Sequence, residues 1–162
     1  MVEVVIAIGV FAIGITAAIA LTASMMRTID RDSEARIAAN LAGAVQAQLE
    51  MAAASSDFES LVAQIPVMDD GMDNGFLLVA ARDGTQVRLL QGSESAVQDQ
   101  FFLIEVRAFA ASPPLGKSSD AEHLATNVRI SWPYRPLGPD GLVPPIDPAK
   151  RDIVSFNLAI NR

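Results

Sequence analysis

The sequence predicts an α+β fold: a long N-terminal helix, membrane-spanning in its first half, packed on a four- to five-stranded antiparallel sheet. Three observations predict it. Residues 1–26 are almost unbroken apolar sequence with one ionisable side chain, Glu3. Apolar residues then recur at Ile37, Leu41, Val45 and Leu49, the spacing of a helix with one buried face. Beyond residue 75 the pattern becomes that of strands following one another with no helix between, which predicts an antiparallel meander. The chain divides accordingly into 1–26, the membrane-spanning half of the helix, 27–54, its amphipathic half, and 55–162, a globular sheet domain.

From Val2 to Met26 a helix would be about 37 Å long, enough to cross a hydrocarbon core of about 30 Å. No basic stretch precedes it and no small-x-small cleavage site follows, so it does not read as a secretory signal peptide. A plain signal anchor satisfies the hydropathy equally well. Glu3 is what an ordinary anchor has no reason to carry, because a carboxylate costs about 2.5–3.5 kcal/mol at the bilayer centre and less near an interface. Such an acid is retained where a cation meets it, or it snorkels to the headgroups from the helix end.

Two rows of small residues run along the same segment: Gly14, Ala18 and Thr22, and Ala12, Thr16, Ala20 and Ser24. Read as adjacent rows, they suit a helix surrounded by neighbours, since small residues let backbones approach in lipid, although Ala and Gly are common in membrane helices anyway. Past Met26, Arg27, Asp30, Arg31, Asp32, Glu34 and Arg36 mix signs as a solvated face does. The stripe from Ile37, with Ala38 and Ala52 alongside, needs a sheet to cover it.

Residues 1 to 14, Met-Val-Glu-Val-Val-Ile-Ala-Ile-Gly-Val-Phe-Ala-Ile-Gly, closely resemble the N-terminal helix of type IV pilins and pseudopilins. The likeness covers about residues 1 to 26. Aligned on Glu3, it makes Met1 the third residue of a mature chain and expects a short basic leader, its Gly and the usual Phe upstream. It implies that Glu3 pairs with the free N-terminal amine of a neighbouring subunit, which is commonly methylated. It also implies other pilin or pseudopilin subunits, a prepilin peptidase, an inner-membrane assembly platform and membrane lipid as partners. The implied location is the bacterial inner membrane in a single pass, with the globular domain in the periplasm, and then a filament. No Pro interrupts residues 1 to 65, unlike many major pilins, which leans toward a minor pilin or a pseudopilin. The competing reading is a single-pass anchored binding module of the cell envelope that never assembles.

In the globular part, Ser55, Ser56 or Asp57 is expected to cap a short helix whose buried face is Phe58, Leu61, Val62 and Ile65, ending at Pro66. Residues 67–75 read as a loop. Strands are expected over 76–81 and 85–90, as a hairpin around Arg82-Asp83-Gly84, then over 100–110, 127–132 and 153–160. The Pro-containing segments 112–122 and 133–148 read as excursions from the sheet, where related subunits differ and partners are met.

Composition excludes several chemistries. The net charge is −7, and the twelve Lys and Arg residues are scattered, so a nucleic-acid surface is not expected. There is no Cys and one His, His123, which leaves no thiolate site and no visible triad. Leu115-Gly116-Lys117-Ser118 ends like a phosphate loop but lacks the upstream Gly. No catalytic residue and no cofactor is expected. Calcium is the one ion for which hard oxygen ligands exist, at Asp69, Asp70, Asp73 and Asn74 or at Asp140, Asp147 and Asp152, yet neither set alternates as a calcium loop does. Asp57, Glu59, Asp69, Asp70 and Asp73 together suggest an acidic patch, which docks a basic neighbour or keeps the domain soluble.

Overall fold

The computed structural model describes residues 2–55, 58–68, 76–90, 100–110, 117, 123–138 and 141–161. Helix α1 runs from Val2 to Ser55 without interruption, and α2 from Phe58 to Gln64. Contacts divide the chain into two units, Met1–Arg36 and Ile37–Arg162. The first is the apolar and charged part of α1. The second joins the striped part of α1 to everything that follows.

Among the described residues, seven strands follow the helices: β1 Phe76–Ala80, β2 Arg88–Leu89, β3 Phe102–Ala108, β4 His123–Trp132, β5 Leu137–Gly138, β6 Gly141–Leu142 and β7 Asp152–Asn161. Five of them make one antiparallel sheet in the order β2-β1-β3-β4-β7, and β5 and β6 form a small separate hairpin. The architecture is the α+β arrangement expected, but the sheet is not a plain meander. β1 lies between β2 and β3. Two-residue β2 offers β1 a ladder of two pairs, whereas β3 offers five, so β3 takes the other edge of β1.

Strand alternation sends even-numbered residues of the sheet to one face. The pairs Leu78↔Ile104, Ile104↔Ile130 and Val128↔Phe156 place large apolar side chains side by side there. They pack in one cluster with Ala38, Leu41, Val45 and Leu49, all buried, so the stripe of α1 finds the cover it requires. Phe58, Leu61, Val62 and Ile65 join the same core. Ser55 is the last residue of α1, while Ser56 and Asp57 lie outside the described residues.

Two strands depart most from their expected bounds. The strand predicted over 85–90 shrinks to Arg88–Leu89 because the turn before it is longer than the sequence suggests. The Asp83 carboxylate accepts hydrogen bonds from the Thr85 hydroxyl at 2.6 Å and the Thr85 amide at 2.9 Å, and these hold its pKa below the ordinary carboxylate range. Gly84 and Gln86 then take φ of 77° and 57°, a left-handed backbone that no ladder accepts. Conversely, β4 begins at His123 rather than at residue 127, because β7 extends far enough to pair His123 with Asn161 and Leu124 with Ile160. The excursion 133–148 carries the β5–β6 hairpin and leads into a 3-10 turn at Pro148–Lys150.

Candidate functional site

Within Val2–Arg36 every apolar side chain described is exposed, from Val2 at 73% and Phe11 at 69% to Ile29 at 63%. The stretch is long and apolar enough to cross a membrane, and none of its described residues is buried within the molecule. Glu3 lies in the first turn of α1 and is exposed. The Thr16 and Thr22 hydroxyls donate to Ala12 O at 2.8 Å and Ala18 O at 2.9 Å, and Thr28 donates to Ser24 O at 3.2 Å. These bonds remove the polarity of the hydroxyls from the helix surface, as an apolar surrounding demands.

Helical geometry corrects one expectation about the small residues. At about 100° per residue, Gly14 stands about 200° from Ala12. The row Gly14, Ala18, Thr22 and the row Ala12, Thr16, Ala20 therefore occupy opposite sides of α1, not adjacent ones. Glu3 falls within about 20° of Gly14, so it heads the first row. A Cβ added at Gly9 or Gly14 would meet nothing within 4 Å, so both sites are open to a neighbour.

A second arrangement lies on the sheet face turned away from α1. Val79 and Leu103 are buried there against Leu77, Leu90 and Tyr134. The Pro-containing excursion folds back toward this face: Ile146 N donates to Tyr134 O at 2.9 Å, and Arg151 Nε donates to Ile146 O at 2.8 Å, with Nη2 bonding the same oxygen. The Arg151 guanidinium sits 4.9 Å from the centre of the Tyr134 ring. Between excursion and strands is a groove of about 300 Å³ with Leu77 and Leu103 on the strands and Tyr134, Pro145, Pro148 and Arg151 on the other side. Its polar end carries Glu105, Arg129 and Ser131. Glu105 stands between two cations, with Oε1 3.7 Å from Arg107 Nη2 and Oε2 3.7 Å from Arg129 Nε. Sequence reading treated Arg107 and Arg129 as scattered. The alternation of Glu105 and Arg107 in one strand was the available signal, but only the register Glu105↔Arg129 brings the third residue to them.

Other sequence candidates are placed as follows. His123 is exposed at the start of β4. Lys117 Nζ donates to Ile65 O at 2.7 Å, and the rest of the phosphate-loop-like tetrapeptide lies outside the described residues. Asp69, Asp70, Asp73, Asn74 and Asp140 also lie outside them, as do all members of the suggested acidic patch except Glu59. Asp147 caps its own 3-10 turn by accepting from Ala149 N at 3.0 Å, and Asp152 is exposed at the head of β7. Among the described residues no three His, Asp or Glu side chains gather as metal ligands would. No protein-family model, no curated protein and no solved structure matches the chain.

Proposed function

We propose that this chain is a structural, non-enzymatic subunit of a helical filament of the type IV pilin and pseudopilin kind. In this reading the first half of α1 holds it in the bacterial inner membrane, with the sheet domain in the periplasm, until it enters a type IV pilus or a type II secretion pseudopilus. The observation that carries the reading is an apolar, uncovered helical segment headed by one carboxylate, Glu3. A helix apolar on all sides needs lipid or other helices around it. Lipid alone satisfies the apolar side chains but gives no reason for the acid. A neighbouring subunit's N-terminal amine gives one, because a charge removed from water is retained where an opposite charge meets it.

The two small-residue rows support the same reading. Placed on opposite sides of α1, they admit close neighbours on both, as a filament core requires, while a simple pair of helices needs one row. The mechanism is mechanical. Leaving the bilayer, the helix exchanges lipid for the helices of its neighbours, and Glu3 selects the register at which its partner's amine arrives. Prepilin peptidase and the inner-membrane assembly platform belong to this proposal as the machinery that would process and lift the subunit.

The test is Glu3→Leu expressed beside the wild type. The variant is expected in the membrane at wild-type level and reduced about tenfold or more in sheared filaments, since one half of an ion pair is left alone. Incorporation of the Leu variant at wild-type level overturns the proposal. If wild-type chain itself never enters the sheared fraction, the anchored binding module replaces the filament subunit.

A further inference from the structure

The geometry points to a small-molecule site in the groove over the outer sheet face, one that takes a monocarboxylate with an apolar body about the size of one aromatic ring. The inference is independent of filament assembly. It rests on charge, donor geometry and size.

The chain as a whole carries a charge of −7, yet this groove has Arg129 and Arg151 against the single carboxylate of Glu105. Glu105 is further shared with Arg107. A local excess of cations in an acidic molecule is what an anionic ligand would find complementary. Both contacts of Glu105 are ion pairs at 3.7 Å, too long to be hydrogen bonds. At that distance Glu105 takes no hydrogen bond from the Arg129 guanidinium, whose side chain is 34% exposed. A planar fork of N–H donors at the edge of an apolar surface matches the two oxygens of a carboxylate.

Arg151 plays a different part. Two of its N–H groups are committed to Ile146 O, and its guanidinium carbon lies over the Tyr134 ring, so it is a braced charge that does not have to be ordered on binding. Leu77 and Leu103 supply an apolar floor, and Pro145 and Pro148 a stiff wall. At about 300 Å³ the groove stands at the small end of ligand sites. One ring or a short branched chain fits beside the carboxylate, and a nucleotide or an oligosaccharide does not.

The test uses the full ¹⁵N-labelled chain in lipid nanodiscs, titrated with 3-phenylpropionate and, separately, with 3-phenylpropan-1-ol and with propionate. The acid is expected to shift the amides of Leu77, Leu103 and Tyr134 saturably. Loss of the charge or of the ring is expected to weaken binding about tenfold. Arg129→Gln should weaken it to the same degree. Glu105→Gln should tighten it about fivefold by removing the competing carboxylate, a gain that misfolding cannot imitate. Equal binding of acid and alcohol, weaker binding by Glu105→Gln, or no saturable shift up to about 10 mM overturns the site.

Discussion

Gly84 is the residue at which local chemistry and tertiary packing meet most tightly. Its φ of 77° lies where side chains are disfavoured, and a Cβ built there would stand 2.8 Å from Ile37 Cγ2 on α1. Gly84→Ala is expected to cost about 1–2 kcal/mol from the backbone alone, with a further loss from displacing Ile37. Denaturant unfolding of the variant against wild type measures it, and an unchanged midpoint contradicts the account. The glycine was legible in the sequence as part of an Asp-Gly turn, which is a matter of nearest neighbours. That the turn abuts Ile37 was not legible, because nothing in the local sequence says which part of α1 comes to it. The same holds for Glu105: its charge could be read, but its two arginine neighbours depend on strand register.

At the scale of elements, periodicity carried most of the information. Leu41, Val45 and Leu49 were expected on one helical face and are each at most 2% exposed. The face works because a sheet covers it, so removing buried volume there should be costly. Leu49→Ala is expected to destabilise the globular unit by about 2–5 kcal/mol, through lost burial and the cavity left behind, with the same change at exposed Met51 nearly silent. Thermal unfolding of the two variants decides it, and equal effects would contradict the assignment of faces. Strand lengths were less legible. β4 reaches back to His123 because β7 is long enough to pair with it, and β2 stops at two residues because the turn before it is held by Asp83. A pairing partner far away in sequence sets the first limit, and a local turn sets the second.

For the whole molecule, composition and packing place their boundaries differently. The change from apolar to charged sequence comes after Met26, while the unit that packs around the sheet begins at Ile37. Among the described residues, every member of the main core lies at Ile37 or beyond. A chain starting at Ile37 is therefore expected to stay soluble without detergent and to unfold in one cooperative transition. Circular dichroism on the truncated chain tests this, and a non-cooperative or aggregated product would show that the first unit supports the second.

What the amino-acid sequence determined by itself is everything that follows from short-range periodicity: the uninterrupted apolar segment, the helical stripe, the α2 face and the existence of the strands. These depend on side chains a few positions apart, and the backbone turns that spacing directly into a face. What only the tertiary structure decided is the strand order β2-β1-β3-β4-β7 and the groove built from β1, β3, β4 and the Pro-containing excursion. Contacts between residues tens of positions apart are chosen by which edges and faces remain to be covered once all elements compete for them, and no local spacing encodes the result of that competition.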